Sequence, residues 1–418
     1  MMDIRSKSLR DLAFQGMFGL ERESLRITAD GRFATTPHPF HGSPRIVRDF
    51  CENQTEINTH VHSSVAEAVE ELREIDVELR GRLAELPERE WLWPFSNPPP
   101  ISGDSDIRPA AFDGPLAGKG AYREYLSAKY GRRLMTFCGI HFNFSFGPDL
   151  VAAAAAAEGA GDVPGYANRL YLHVAEQLLL WGWAVVPLTA ASPVLDASYL
   201  GSGSAGDDFV GMASVRCSEL GYWNHFTPVL DFSDVRAYAD SIMRYVKDGL
   251  IAAPSELYYP IRLKPRGPNR VASLVTGGVD HLELRCLDLN PFEEGRIDRR
   301  DVEFIHLLAL WCAGRKTVHL TASAQVQAVR NYKNAARFDL ESAEIVLPDG
   351  SHASVRESVL SLIDAMDAFY ADFPDAVKRV LAFERRKIEE PDTRPAARVL
   401  AEFRGTFAAK GLAWAKGI

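Results

Sequence analysis

The alternation of polar and apolar side chains predicts a β-strand over residues 18–27, with Glu21 and Glu23 side by side on one face. Two carboxylates this close repel each other, so such a pair is stable only where water solvates the face or a cation binds between the acids. Solvated acids are the commoner arrangement. The strand alone therefore leaves both interpretations open, and metal binding is a hypothesis that the rest of the chain has to support.

Three further segments alternate with the same period of two and carry polar groups on one face. A lone histidine on a strand is more often a hydrogen-bonded core residue than a ligand, so none of these segments is decisive alone. Together with the first strand they would bring several acids and an imidazole to one sheet face, an arrangement that a cation stabilises. The polar-face residues are Glu52, Gln54 and Glu56 in residues 49–59, His141 in residues 135–146, and His281, Glu283 and Arg285 in residues 279–291.

Apolar residues spaced three and four apart predict helices between and after these strands. The clearest is an amphipathic helix over residues 64–86, which we expect to cover the far face of the sheet. The glycine-rich segment at 201–206 predicts a linker or lid, because it lacks the Lys-Ser/Thr ending of a P-loop. Beyond residue 297 the pattern is helical almost throughout. The other predicted helices cover residues 122–130, 167–186, 233–251, 299–311, 355–373 and 395–407.

Composition fits a globular protein that acts on small metabolites. Its 418 residues allow one large domain or two to three ordinary ones. A net charge of −9 without a basic run argues against nucleic-acid binding. We expect neither a membrane span nor a secretory signal, because no apolar segment is long enough and charged residues begin at once. Five cysteines without metal-type spacing fit a reducing cytoplasm.

Several short motifs have an order and spacing that go beyond any single strand. They are GLERESLR at 19–26, Asp49-Phe50 with Glu56, WPFS at 93–96, Tyr122-Arg123, GIHFN at 139–143, Ala-Ser-Pro at 191–193, LGY at 220–222, ELY at 256–258 and ELRCLDLNPF at 283–292. Along most of residues 15–312 this series resembles the bacterial glutamate–cysteine ligase family. The resemblance implies an α+β fold with a glutamine-synthetase-like, curved and mainly antiparallel sheet, and with helices packed on its outer face.

The same resemblance implies a reaction. In that family ATP phosphorylates the side-chain carboxylate of L-glutamate, and the amine of a second amino acid displaces phosphate to give a γ-glutamyl dipeptide. The implied cofactors are ATP and Mg²⁺, with Mn²⁺ as a substitute, and the implied partners are these small molecules. The resemblance further implies a single catalytic unit over residues 1–418, with a sheet-rich core at about 15–295, a helical part at about 298–418 and no second ligase domain.

Carried over by position, the resemblance assigns roles to individual side chains. Glu283 and Arg285 are the implied catalytic pair, with Arg285 meeting the transferred phosphate. An arginine fork suits an α-carboxylate, and tyrosines provide apolar walls with one polar tip. The implied metal set is Glu21, Glu23, Asp49, Glu56, His141 and Glu283, and the implied substrate-binding set is Phe50, Tyr122, Arg123, Leu126, Met135, Arg216, Tyr222 and Tyr258.

The second amino acid is the open point. Related ligases carry a glutamine where this chain has Met135, which would form an apolar wall with Phe50 and Leu126. L-Cysteine is the expected acceptor, as in a glutathione-type pathway, because a thiol needs no amide partner. The alternative is a small apolar amino acid such as propargylglycine, in a natural-product pathway.

Two other functions stay open at this stage. The chain could be a non-catalytic relative that binds ATP and amino acids, although its full set of acids argues against this. It could also transfer phosphate to a stable acceptor on a similar sheet. The sequence has no feature that sets an oligomeric state.

Overall fold

The computed structural model describes residues 2–112, 114, 117–201 and 207–417, and most of the predicted glycine-rich linker, at 202–206, lies outside this part. The strands are β1 (Gly16–Ile27), β2 (Ile46–Arg48), β3 (Gln54–Asn58), β4 (Trp91–Leu92), β5 (Ile140–Phe146), β6 (Val194–Asp196), β7 (Asp207–Phe209), β8 (Ile261–Pro265), β9 (Val279–Leu287), β10 (Glu344–Val346) and β11 (His352–Ser354). The main sheet has the order β2-β3-β1-β5-β9-β8, with β4 beside β1. All its neighbouring strands run antiparallel.

Fourteen helices accompany the strands in the described part of the chain. They are α1 (Lys7–Arg10), α2 (Val65–Ala84), α3 (Ala117–Tyr130), α4 (Pro148–Ala157), α5 (Val163–Trp181), α6 (Val185–Thr189), α7 (Val235–Lys247), α8 (Val271–Gly277), α9 (Arg299–Ala313), α10 (Ala322–Ala335), α11 (Val355–Phe369), α12 (Asp375–Glu389), α13 (Pro395–Phe403) and α14 (Phe407–Lys416). Three of them, α2, α5 and α9, form a layer on one face of the main sheet. Helix α2 packs on β1, α5 packs on β8 and β9, and α9 packs on both helices. The predicted α+β fold, with an antiparallel sheet and outer helices, is confirmed.

The predicted amphipathic helix over residues 64–86 is confirmed as α2. It begins where the Ser64 hydroxyl accepts a hydrogen bond from the backbone N–H of Glu67, which satisfies one of the free donors of the first turn. Its buried stripe includes Ala68, Leu72 and Ile75. Within the described part of the chain, no helix is both long and apolar enough to cross a membrane.

Two predicted strands are wrong in extent. The extended pattern over residues 49–59 is broken by a turn at 49–53, where the N–H of Gln54 bonds back to the carbonyl of Cys51. Glu52 therefore does not share a face with Glu56. It accepts hydrogen bonds from Arg48 and from the backbone N–H groups of His38 and Ala111.

The second error lies over residues 135–146, where a short 3₁₀ turn at Leu134–Thr136 precedes β5. The Thr136 hydroxyl bonds to the carbonyl of Arg133, and this local contact competes with the extended conformation. The predicted helical pattern after residue 297 also contains the hairpin of β10 and β11. Propensity alone predicted none of these local departures.

A buried ion pair joins β1 to α2. Arg22 is fully buried on β1, and its Nη2 lies 2.6 Å from Oδ1 of Asp76 on α2. Arg80 also binds Asp76, at 2.7 Å. Burial would raise the pKa of Asp76, but the charges of Arg22 and Arg80 hold it far below its usual value. The pair therefore fixes the helix layer against the central strand.

The substitution Asp76→Asn should lower the free energy of unfolding by about 3–5 kcal/mol, because it leaves the Arg22 charge buried without its partner. Urea unfolding followed by circular dichroism measures this loss. The matched control is Glu78→Gln on the same helix, whose exposed ion pairs to Arg45 and Arg82 are worth about 0–1 kcal/mol. A loss below about 1 kcal/mol for Asp76→Asn would contradict this account.

Candidate active site

Strand register brings acids from separate strands to the face of the sheet opposite α2, α5 and α9. Glu23 on β1 lies directly opposite Glu56 on β3, and Glu21 lies opposite His141 on β5. Glu283 joins them from β9. Like charges directly opposite each other destabilise a sheet, so this face is held together against electrostatic repulsion.

The imidazole of His141 lies at the centre of this group. Its Nδ1 is 3.1 Å from Oε2 of Glu21, and its Nε2 is 4.0 Å from Oε1 of Glu23. Within the described residues, Nε2 is buried and has no hydrogen-bond partner. Burial and the charge of Arg285 lower the pKa of His141 to about 4, so the ring is neutral near pH 7. A neutral imidazole is the form that coordinates a metal.

Burial and neighbouring negative charge both act on two of these acids, whereas the hydrogen bond with His141 holds the pKa of Glu21 below its usual value despite burial. Burial and the charge of Asp49 raise the pKa of Glu23 to about 8. Burial and the charges of Asp49, Glu21 and Glu23 raise the pKa of Glu56 well above its usual value. A cation at this face would offset both effects. Oxygen donors of this kind suit Mg²⁺, and donor atoms of Glu21, His141 and Glu283 already lie within 4.8 Å of one another.

A row of cations borders the acids on the β8–β9 side. Oε1 of Glu283 is 3.1 Å from Nζ of Lys264, while Oε2 is 3.1 Å from Nη1 of Arg285 and 3.8 Å from Nη1 of Arg262. Burial would raise the pKa of Glu283, but these three charges hold it well below its usual value. The site thus has an acidic half and a basic half, which meet at Glu283.

These groups surround one cavity of about 420 Å³. Its wall contains nearly every residue that the sequence indicated, and Phe50, Leu126 and Met135 supply apolar surface. The indicated residues in its lining are Glu21, Glu23, Asp49, Phe50, Glu56, Tyr122, Arg123, Leu126, Met135, His141, Tyr222, Tyr258, Glu283 and Arg285. Met135 lines the cavity, but it does so from the 3₁₀ turn and not from the predicted strand.

Arg216 is the indicated residue that lies outside this lining. It is buried in a small adjoining pocket, where its Nη2 donates to the backbone carbonyl of Arg285 at 2.9 Å. Its guanidinium packs against Gly139, at which a Cβ atom would approach it to 2.2 Å. The N–H of Gly139 donates to Oε2 of Glu23 at 2.9 Å. Arg216 and Gly139 therefore support the residues that face the cavity.

Some cavity residues carried no assigned role in the sequence. The alternation of Arg262 and Lys264 on β8 was a usable signal, because period-two spacing places both cations on one face. Lys119 precedes Tyr122 and Arg123 by one turn of α3, so helical spacing was a usable signal for it as well. Asn269 lies in the loop between β8 and α8, where no periodic pattern could have indicated it. The full unassigned set is Lys119, Ser255, Arg262, Lys264 and Asn269.

Removing one acid should stabilise the metal-free protein. We expect Glu56→Gln to raise the free energy of unfolding by about 1 kcal/mol with a chelator present, because it relieves repulsion from Glu23 and Asp49. Chemical denaturation at pH 8 measures the change. Glu52→Gln is the control, and it should destabilise, since Glu52 is held by Arg48 and by two backbone N–H groups. A clear loss of stability in Glu56→Gln would be inconsistent with uncompensated repulsion.

The Gly139→Ala substitution tests the support beneath the acids. The added methyl group would overlap Arg216, so we expect a destabilisation of about 1–3 kcal/mol in denaturant unfolding. Gly118→Ala in α3 is the control, because open space surrounds that position and alanine favours a helix. Equal stability of the two variants would show that Arg216 moves aside without cost.

Comparisons with known proteins identify the family of this chain. The model of the glutamate-cysteine ligase family matches residues 1–335. The glutathione biosynthesis bifunctional protein GshAB of Listeria monocytogenes is 34% identical over 418 residues, covering 94% of this chain and 53% of that protein. The chain thus spans about half the length of the curated relatives it matches.

Two solved structures of enzymes with related names have the same fold as this chain. A bifunctional glutathione synthetase from Pasteurella multocida superposes with a TM-score of 0.84 at 28% identity, over 100% of this chain and 54% of that one. A glutamate–cysteine ligase from Francisella tularensis, in complex with AMP, has a TM-score of 0.85 at 24% identity, over 96% of this chain and 88% of that one, and so shares its fold. Because the family model covers most of its length, the chain belongs to the glutamate–cysteine ligase family.

Proposed function

We propose that this protein is an ATP-dependent ligase that joins the γ-carboxylate of L-glutamate to the amine of L-cysteine through a γ-glutamyl phosphate. Family membership supports the reaction class. The observation that carries the proposal is one cavity in which buried acids suited to a metal meet a row of cations suited to phosphates. The AMP bound to the Francisella tularensis ligase supports ATP as the co-substrate.

The metal would be Mg²⁺, with Mn²⁺ as a substitute. The residues that would hold it are the implied set of Glu21, Glu23, Asp49, Glu56, His141 and Glu283. The unpartnered Nε2 of His141 and the raised pKa of Glu23 fit a site that is completed by a cation. A bound Mg²⁺ would neutralise phosphate charge and polarise the transferring phosphoryl group.

The basic half would act on the phosphates. Arg285 is bordered by Glu283 on one side, and its guanidinium would stabilise the charge on the transferred phosphoryl group. Arg262 and Lys264 lie beside it and would bind the remaining phosphate oxygens. A γ-carboxylate oxygen of glutamate attacks the γ-phosphorus and ADP leaves. The acceptor amine then attacks the acyl carbon, and phosphate leaves while the amine loses a proton.

Aromatic residues would protect the acyl phosphate from water. Tyr222 and Tyr258 are in ring contact at 4.2 Å between centroids and line the cavity beside Arg285. Tyr122 and Arg123 come from α3, and Arg123 is oriented by a hydrogen bond of 2.5 Å to the backbone carbonyl of Asp49. These side chains would bind the amino-acid substrates, and Arg216 would support them from behind.

A second acceptor class is favoured by a specific observation. Phe50, Leu126 and Met135 are nearly fully buried and lie together in the cavity wall. This apolar surface would accept a small aliphatic or unsaturated amino acid as well as the side chain of cysteine. The proposed acceptor is cysteine on family grounds, and a small apolar amino acid is the alternative.

We also propose that the chain works as one catalytic unit. Its main hydrophobic core is continuous and contains residues from Met2 to Ala415, including side chains from the sheet and from the C-terminal helices. The helix α9, which follows the last strand of the main sheet, packs on α2, α5 and α12.

Turnover tests the ligase chemistry. Protein incubated with ATP, Mg²⁺, L-glutamate and L-cysteine should release ADP and form a γ-glutamyl dipeptide detectable by mass spectrometry. Glu283→Gln should lower kcat by at least about 10²-fold, since it removes a metal ligand that also orients Arg285. Glu74→Gln, on the exposed side of α2, is the control and should leave kcat unchanged. ADP release without a dipeptide would indicate phosphoryl transfer to another acceptor, and a wild-type protein that forms no product would refute the proposal.

Competing acceptors test the specificity. We expect kcat/KM for cysteine to exceed the values for alanine, 2-aminobutyrate, allylglycine and propargylglycine. Met135→Gln should lower turnover with the apolar acceptors more than turnover with cysteine, because it places an amide in their wall. If the wild type clearly prefers one of the apolar amino acids, that amino acid is the acceptor and the proposal of cysteine is wrong.

A further inference from the structure

A second polar cavity lies beyond the end of β9, where the segment that follows this strand meets helices α9, α12 and α13. It has a volume of about 500 Å³, within the roughly 300–1,000 Å³ found for small-molecule sites. Among the described residues its lining contains four acidic and four basic side chains, so the cavity has no net charge. None of these side chains also lines the proposed ligase cavity.

Four of the eight charged side chains are already paired with each other. Arg300 binds both carboxylate oxygens of Asp298, at 2.9 and 2.5 Å. The ammonium group of Lys387 pairs with the buried carboxylate of Asp301. These two pairs join α9 to its own N-terminus and to α12, so they form the frame of the cavity and are not free to bind a ligand.

The carboxylate of Glu293, by contrast, is half-buried and has no hydrogen bond or ion pair with any residue that the structure describes. Burial, and after it the charges of Asp298 and Asp301, raise the pKa of Glu293 above its usual value, while the charges of Arg398 and Arg300 act in the opposite direction. All four of these residues line the cavity, so the carboxylate lies among them and faces the cavity. A positive group beside Glu293 would offset its negative neighbours.

Arg398 on α13 provides an unpaired positive charge in the same lining. Its guanidinium lies over the ring of Phe292, 4.0 Å from the centroid, and it has no carboxylate partner within the described part of the chain. Its charge acts on Glu293, yet the two side chains form no ion pair, so a gap separates them. A ligand that carries both charges can bridge this gap.

Asn290 adds a buried hydrogen-bond donor. The residue is 5% exposed, and its Oδ1 accepts a hydrogen bond of 3.2 Å from the backbone N–H of Phe292. Its Nδ2 has no partner among the described residues, but it is not shielded from solvent. Because Asn290 lines the cavity and is otherwise buried, the cavity is where this Nδ2 can meet a ligand. An amide donor in this position is satisfied by an oxygen acceptor.

The chemistry of the ligand follows from these three groups. Glu293 would repel a simple anion and Arg398 would repel a simple cation, whereas a zwitterion gives each of them a partner. We propose that this cavity binds a free α-amino acid, with its ammonium group paired to Glu293 and its carboxylate bound by Arg398 and by Nδ2 of Asn290. Both charges of the ligand then receive charge-assisted hydrogen bonds.

The test compares L-serine with two derivatives that each lack one charge. L-Serinamide has no carboxylate, and N-acetyl-L-serine has no ammonium group. Isothermal titration of the full chain should show L-serine binding at least about tenfold more tightly than either derivative, because each derivative loses one charge-assisted pair. Equal binding of the three compounds would overturn the proposal.

Two variants locate the binding site. Glu293→Gln and Arg398→Gln should each weaken L-serine binding about tenfold or more, since each removes one of the two charges that the zwitterion meets. The matched controls are Glu294→Gln and Arg379→Gln, which change exposed side chains outside the lining and should leave binding unchanged. Binding that persists undiminished in both Glu293→Gln and Arg398→Gln would place serine elsewhere in the molecule and refute the proposal.

A further measurement uses only the wild type, so it does not depend on how the variants fold. In protein labelled with ¹⁵N-asparagine, L-serine should shift the side-chain amide signal of Asn290, because the serine carboxylate accepts a hydrogen bond from Nδ2. N-Acetyl-L-serine and L-serinamide should not shift it at the same concentration. An Asn290 signal that L-serine leaves in place would contradict the proposed contact.

Discussion

Repulsion among closely spaced carboxylates, some buried and some half-buried, is the constraint on which this structure depends. Antiparallel pairing places Glu23 opposite Glu56 and brings Glu21 and Glu283 to His141, so the chain brings negative charges together on one face of the sheet. Burial, and after it the charges of Asp49 and the neighbouring glutamates, raise the pKa values of Glu23 and Glu56. A bound cation would stabilise this acidic face, and bound phosphates would stabilise the adjoining positive side chains. In the proposed ligase, the separation of negative and positive charge within one cavity thus accounts for the metal-binding half and the phosphate-binding half of the site.

The central strand β1 tolerates the repulsion among these acids because its other face is packed against the helix layer. On β1, Phe18 and Arg22 point into the helix layer, and the pair of Arg22 with Asp76 fixes the strand to α2. Alternation along one strand therefore separates structural residues from those that face the cavity. Behind the acids, Gly139 leaves room for Arg216, and its backbone N–H donates to Glu23. A residue without a side chain therefore helps to position the site.

Much of the fold was predictable because period-two and helical spacing depend only on local geometry. The strand with Glu21 and Glu23, the helix α2 and the grouping of acids on one sheet face all follow from such patterns. The turn that separates Arg48 from Gln54 and the 3₁₀ turn at Met135 were not predictable, since side-chain contacts from other segments and local hydroxyl bonds override extended propensity there.

In the candidate site too, residues on regular elements were predictable and residues positioned by tertiary contacts were not. Acids on strands could be grouped by parity, and the resemblance to a ligase family assigned them roles. Asn269 could not be found, because it reaches the cavity from the loop between β8 and α8, whose position is set by tertiary packing. The position of Arg216 behind the cavity has the same origin, because its guanidinium is held by the backbone carbonyl of Arg285 and by the close approach to Gly139, both tertiary contacts.

The most direct measurement of the central claim is the unfolding temperature of the wild-type protein as Mg²⁺ is added to a chelator-treated sample. Ionic strength is held constant with NaCl, so general screening of surface charge does not contribute. If the acids form a cation site, the unfolding temperature should rise with Mg²⁺ concentration and then level off as the site fills. An unfolding temperature that stays constant, or that NaCl alone raises equally, would contradict the account.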